Sequence, residues 1–109
     1  MTIHEPVLSD AEFDHWKKHG YVRLGHVAPA LEIEALCERI DAIMLGQISY
    51  PNMMMQLCPS VGDQEKALQT KTFKGSSLKY RKIEELEQDP LFLAYMQNPL
   101  FRDITGKIV

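Results

Sequence analysis

The chain has 109 residues, which is enough for one domain and too few for two. Its 45% hydrophobic and 25% charged residues are typical of a folded protein and argue against disorder. A net charge of -3 argues against bulk attraction to nucleic acid or anionic membranes, and the short apolar runs argue against a membrane-spanning helix. Because no signal-peptide pattern is visible, we expect a cytoplasmic protein in which Cys37 and Cys58 are free, buried thiols.

Two helices and a short strand are predicted in the first half of the chain. Ser9 and Glu12 form a capping box for the first helix, and Gly20 suits its left-handed C-terminal position. Residues 21–24 follow as a predicted strand. The second helix ends near Gly46 and is predicted from apolar residues at helical spacing, namely Ile33, Leu36, Cys37, Ile40, Ile43 and Met44.

Two further strands are predicted in the second half. Residues 53–57 form a candidate buried strand, and residues 59–63 are typical of a loop. Residues 78–83 alternate in a strand-like way, which places Leu78, Tyr80 and Lys82 on one side.

Two short helices are predicted after these strands. Asp89 and Asn98 each precede a proline, so each is expected to cap a helix that begins at the proline. We expect the second of these helices to end at Gly106 and a new strand to begin at Lys107. No repeat or internal domain boundary is visible, so residues 1–109 are treated as a single unit.

The sequence contains no complete catalytic or metal-binding constellation. His15 and His19 have the i, i+4 spacing of two metal ligands on a helix, but Lys17 and Lys18 lie beside them and no third ligand is near. We therefore interpret the pair as exposed histidines, and the other two histidines as isolated. No histidine is followed two positions later by Asp or Glu, and neither a nucleophile elbow nor a phosphate-binding loop is present.

Basic residues are concentrated between positions 66 and 82, where no acidic residue occurs. The stretch is either a site for an anion or a solvated surface balanced by the acidic residues that follow it. Lys82 is a special case, because a lysine on an apolar strand face needs an anionic partner unless its amine reaches the surface. The basic residues are Lys66, Lys71, Lys74, Lys79, Arg81 and Lys82.

Two segments of the chain resemble the phytanoyl-CoA dioxygenase family. In the first, a capped helix leads to the sequence His-Gly-Tyr-Val-Arg-Leu at residues 19–24 and then to a long amphipathic helix. The second resembles the part of the family that leads into its jelly-roll core. It consists of Tyr80-Arg81-Lys82-Ile83, Leu86, Asp89-Pro90-Leu91-Phe92, Asn98-Pro99-Leu100-Phe101 and Ile104.

The resemblance implies an α+β fold made of the N-terminal helices and first strands of a double-stranded β-helix, or jelly-roll, oxygenase whose barrel core is incomplete in residues 1–109. The full-length parent is then an Fe(II)- and 2-oxoglutarate-dependent dioxygenase that hydroxylates a small organic substrate. Lys82 matches a family lysine that contacts 2-oxoglutarate. The resemblance places no catalytic residue or metal ligand in this chain, so we expect the chain alone to be inactive and to bind neither cofactor stably.

The partners implied are the small-molecule substrate and either the missing C-terminal barrel portion or a second copy that associates through exposed helix faces. No nucleic acid or membrane partner is expected. One alternative is a self-contained helical binding module that uses the basic stretch 66–82 for an anionic partner. Another is a non-catalytic relative of the family.

Overall fold

The computed structural model describes residues 2–58 and 68–109. Within these ranges the protein is α+β, with four α-helices and a two-stranded antiparallel sheet that does not close into a barrel. The loop predicted at 59–63 lies outside the described residues. None of the described helices has both the length and the apolar character that crossing a membrane requires. The chain divides into two compact units, Met1–Ile33 with Ala94–Val109 and Glu34–Leu93.

The first unit contains α1 (Asp10–His19) and α4 (Pro99–Ile108). The capping box of α1 is confirmed, because the Ser9 hydroxyl accepts from the Glu12 backbone N–H at 3.1 Å and the Glu12 carboxylate accepts from the Ser9 N–H at 3.0 Å. Gly20 ends the helix in the left-handed conformation with φ 79°, as expected. The helix limits are therefore set by local sequence.

The strand predicted at residues 21–24 is wrong, because these residues have no regular structure. A strand needs a neighbouring chain to satisfy its backbone groups. The pairing found beside this segment, among the described residues, is one parallel bridge between Ile3 and His26. Alternating apolar residues alone were not sufficient to form a strand here.

Helix α4 continues past the position at which we expected it to end. Asn98 caps it through a 2.9 Å bond from the Leu100 N–H, as predicted, but Gly106 is helical and no strand begins at Lys107. The last turn is stabilised by Lys107, whose amine donates to the Asp103 carboxylate at 2.9 Å and to the Leu8 carbonyl at 2.7 Å. These contacts offset part of the helix penalty of about 1 kcal/mol that one glycine brings.

The second unit contains most of α2 (Ala30–Met44), the strands β1 (Met55–Leu57) and β2 (Tyr80–Ile83), and the first part of α3 (Pro90–Met96). The buried strand predicted at 53–57 is confirmed over its last three residues. A 3-10 turn at Leu86–Gln88 precedes α3. The core of this unit consists of buried Ile43, Met53 and Met55, surrounded by Ile40, Ile48, Tyr50, Tyr80, Ile83, Leu86 and Phe92.

The apolar stripe of α2 is only partly covered. Leu36 and Ile43 are buried as expected, whereas Ile33 is 40% exposed. Cys37 was expected to be a buried thiol and is exposed; Cys58 is half-buried. The stripe is wider than the surface that packs against it, so residues at its margin remain in solvent.

Candidate functional site

A β-bulge determines where Lys82 lies on the sheet. Gln56 of β1 is opposite Lys82 of β2, but the next residue, Leu57, is opposite Tyr80. Arg81 is therefore an extra residue on β2 without a partner across the ladder. Such an insertion reverses the in-and-out alternation of the strand at that point.

The bulge separates Lys82 from Tyr80. Tyr80 and Ile83 both pack against the core, although they are three residues apart. Gln56 lies between two buried neighbours and so points to the opposite, outer face, and its cross-strand partner Lys82 shares that face. The expectation that Lys82 lies on the same side as Leu78 and Tyr80 is therefore wrong.

Lys82 has a partner on the outer face. Its amine lies 3.2 Å from the Glu84 carboxylate and donates to the Gln69 side-chain oxygen at 3.2 Å. The side chains of Lys82 and Glu84 are 48% and 44% exposed. Hydrogen bonds from the Lys82 amine and then from Gln69 lower the pKa of Glu84 below its ordinary value. The group is a solvent-facing arrangement of one cation, one anion and one amide.

This environment changes the reason for considering Lys82 a site residue. We expected a lysine on an apolar face that requires an external anion, whereas Glu84 already supplies a carboxylate. Contact between Lys82 and a cosubstrate stays a prediction. The sequence indicated Glu84 as one of the acidic residues that balance the basic stretch, but not as the partner of Lys82, although strand alternation places positions 82 and 84 on one face.

The basic stretch is divided by the fold. Lys71, Lys79 and Arg81 are exposed, whereas Lys74 is half-buried and donates from its side chain to Thr70. Lys66 lies outside the described residues. Glu84 lies beside Lys82 and neutralises part of its charge. The described part of the stretch is therefore a less continuous basic surface than the run of residues in the sequence suggests.

The histidines of α1 form an aromatic cluster. The His15 and His19 rings are 4.4 Å apart between centroids, and the Tyr21 ring meets His15 edge-on at 5.1 Å. Both histidines are exposed, as expected. In residues 2–58 and 68–109, no group of three or more His, Cys, Asp or Glu side chains is placed to hold a metal ion.

His4 is not isolated, contrary to expectation. Its Nε2 atom lies 2.7 Å and 2.9 Å from the two carboxylate oxygens of Glu12. Glu12 also borders an open groove of ≈ 560 Å³ in the first unit, which is lined by Ala11, Glu12, His15, Tyr21, Val22 and Arg23. The groove is wide and exposed rather than enclosed, and a wide surface of this kind lacks the enclosure of a small-molecule site.

Asp89 is the buried centre of a polar cluster in the second unit. Its side chain is 0% exposed. One carboxylate oxygen accepts from the N–H groups of Leu91 and Phe92 at the start of α3, and the other accepts from the Tyr50 hydroxyl at 2.6 Å. The Arg39 Nε atom lies 3.5 Å from the latter oxygen.

The pKa of Asp89 reflects opposing effects. Burial raises it, but hydrogen bonds from Tyr50, Leu91 and Phe92 more than compensate, so the pKa is below its ordinary value. The same bond raises the pKa of the Tyr50 hydroxyl. The sequence showed the capping role of Asp89 and gave no local signal for the contact with Tyr50, which is 39 positions away.

Comparison of the chain with protein-family models, with curated proteins and with solved structures found no match. The resemblance to the phytanoyl-CoA dioxygenase family therefore stays a prediction that rests on the motifs described above.

Proposed function

We propose that this chain is the N-terminal part of an Fe(II)- and 2-oxoglutarate-dependent dioxygenase of the phytanoyl-CoA dioxygenase type, acting on a small organic substrate. The α+β arrangement then corresponds to the helices and first strands that precede the barrel core. The observation that carries the proposal is the position of Lys82 on the face of the sheet turned away from the helix-packed core.

The two faces of the sheet support this assignment. In a double-stranded β-helix, one face of a strand lines the barrel interior, while supporting helices cover the outside. Tyr80 and Ile83 pack in the core of the second unit, and Lys82 lies on the other side with Gln56. A lysine on the barrel-facing side is positioned to meet a carboxylate of 2-oxoglutarate.

Iron does not fit the described residues, because they contain no suitable group of three ligands. No step of a reaction is therefore assigned to this chain through a metal. The contribution assigned to the chain is the binding of a cosubstrate carboxylate by the Lys82 amine, which exchanges Glu84 for that carboxylate.

The test uses protein expressed from the complete natural reading frame alongside the 109-residue chain. We expect the frame to encode a His-x-Asp after Val109 and its product to release succinate from 2-oxoglutarate in an Fe(II)-dependent way, with no release by the 109-residue chain. A complete frame without such a motif would overturn the proposal. Iron-dependent succinate release by the 109-residue chain would overturn the prediction that it is inactive.

Variants of Lys82 test the residue assignment separately. We expect Lys82→Met to raise the KM for 2-oxoglutarate about 10- to 100-fold, since it removes a charge-assisted hydrogen bond. Lys82→Arg should retain part of the binding, and Lys79→Met, at a nearby exposed lysine, should leave KM unchanged. An active enzyme with equal KM values in all four proteins would remove Lys82 from the site.

The exposure of Lys71, Lys79 and Arg81 supports a second candidate, a binding module for an anionic partner. Its affinity for a polyanion such as heparin should fall as salt rises and should be lost on charge reversal of Lys71, Lys74 and Lys79. Binding that is unaffected by charge reversal would eliminate this candidate.

A further inference from the structure

The ring of His4 meets a hydrogen-bond acceptor at each of its two nitrogens. Nδ1 lies 2.6 Å from the backbone carbonyl oxygen of Glu5, and Nε2 lies 2.7 Å from a carboxylate oxygen of Glu12. A carbonyl oxygen cannot donate, and an ionised carboxylate cannot donate either. Because neutral imidazole carries only one N–H, the arrangement is fully satisfied only by the imidazolium ion.

This pair joins the N-terminal segment to the start of α1. The side chains of His4 and Glu12 are 12% and 23% exposed, so water reaches the pair only in part and screens it incompletely. The backbone N–H of His4 donates to the His26 carbonyl at 2.8 Å. Thr2–Glu5 is thus positioned by a backbone contact to His26 and by a side-chain contact to α1.

Glu12 serves two structures at once. One of its oxygens accepts from the Ser9 N–H in the capping box, and both face the His4 ring. Glutamine is equally suited to the third helical position of a capping box. The helix cap and the histidine contact can therefore be separated by a single substitution.

We propose that His4 and Glu12 form a pH-dependent clasp that fastens the segment around residues 2–5 to α1 while His4 is protonated and Glu12 is ionised, and releases it when His4 loses its proton. Release also removes the His4 cation from the Glu12 carboxylate, which borders the groove that contains His15, Tyr21 and Arg23. The clasp thereby links the protonation of one histidine to the charge at that groove.

The charged groups around the ring determine the pH range. The Glu5 carbonyl and then the Glu12 carboxylate raise the pKa of His4 above 6.5, and the negative charge of Glu5 adds to this effect. The Ser9 N–H and the His4 ring lower the pKa of Glu12 below 4.5. His26 contacts the His4 backbone through its own backbone carbonyl. The charged side chains of Asp103 and Lys107 on α4 bond to the backbone of Leu8.

The direction of the effect follows from these shifts. A raised histidine pKa stabilises the fastened state fully below 6.5, and the contribution is lost as pH rises through the raised value. A lowered glutamate pKa contributes above 4.5, and that contribution is lost as pH falls through the lowered value. The clasp is therefore tightest between pH 4.5 and 6.5, and it opens as pH rises through the raised pKa of His4.

The experiment is an NMR titration of the intact 109-residue chain from about pH 5 to 8, the range in which histidine titrates. It follows the His4 ring nitrogens and, at each pH, the protection factor of the His4 amide after correction for intrinsic exchange. We expect a His4 pKa above 6.5 and a protection factor that falls about 2- to 5-fold as His4 deprotonates, in line with the strength of a partly exposed ion pair.

Glu12→Gln is the decisive variant, because it retains the capping box and removes the charge. It should return the His4 pKa toward 6.5 and make the protection factor nearly independent of pH, with an unchanged helix signal in circular dichroism. His26→Gln, which leaves the backbone carbonyl intact, is the matched control and should behave as the unmodified chain. A neutral His4 ring at pH 6, or an amide whose protection stays constant throughout the titration, overturns the clasp.

Discussion

Replacement of Asp89 by alanine should destabilise the second unit more than most single substitutions. The carboxylate is fully buried, caps α3 through the N–H groups of Leu91 and Phe92, and accepts from the Tyr50 hydroxyl. Loss of a helix cap costs about 1 kcal/mol, and a polar group left buried without its partner costs about 1–3 kcal/mol. Arg39 adds little, because its Nε atom is 3.5 Å away on a partly exposed side chain.

Together these two costs lower the free energy of unfolding of Asp89→Ala by about 3 kcal/mol. For a chain of this size the loss corresponds to a fall in Tm of roughly 10–20 °C. Urea and thermal unfolding followed by circular dichroism measure both quantities. Asp89→Asn is the matched variant, because asparagine can still cap α3 but cannot accept the Tyr50 hydroxyl in the same way. Asp89→Asn should therefore lower the free energy of unfolding less than Asp89→Ala does.

The lowered pKa of Asp89 adds a pH dependence to the same experiment. Its contribution to stability is present above the ordinary value of 3.8 and is lost as pH falls through the lowered folded value. The unmodified chain should therefore lose stability in acid more steeply than Asp89→Asn. An Asp89→Ala protein within about 0.5 kcal/mol of the unmodified chain, the range of ordinary surface changes, would refute the assigned role.

Three further substitutions test other parts of the structure. Gly106→Ala should stabilise the chain by about 0.5–1 kcal/mol in urea unfolding, since Gly106 is helical with open space at its Cβ position; destabilisation would instead indicate a helix end there. Tyr80→Phe should lower Tm, because the hydroxyl accepts from the Lys74 N–H at 2.8 Å and donates to the Gly75 carbonyl at 2.9 Å, while an unchanged Tm contradicts those contacts. Exposed Cys37 should react rapidly with a small thiol reagent, and Cys37→Ser should remove this fast phase of the reaction. Slow modification of Cys37 would instead indicate the buried thiol that the sequence predicted.

Elements whose limits depend on neighbouring residues could be predicted from the sequence. Ser9, Glu12 and Gly20 define α1 because each acts on backbone groups within one turn. Asp89 and Asn98 cap the two later helices for the same reason. In these places a few consecutive residues contain all the information needed.

Features that depend on distant residues could not be predicted. The segment at 21–24 has the alternation of a strand but lacks a partner ladder. Helix α4 continues through Gly106, and the next residue, Lys107, bonds to the distant carbonyl of Leu8. The bond between Tyr50 and Asp89 joins positions far apart in the chain. Of the candidate site, Lys82 was identified, but its face and its partner Glu84 were not, because one extra residue in β2 changes the alternation.

The bulge at Arg81 has a consequence for how this protein tolerates sequence change. Because the extra residue turns Lys82 away from the core, core packing does not restrict the volume of the side chain at position 82. Position 83, one residue later, packs in the core and is constrained by volume. In a library of random substitutions, intolerance of large or apolar side chains at position 82 would therefore chiefly indicate selection on the lysine's charge, whereas intolerance at position 83 would chiefly indicate a requirement of folding.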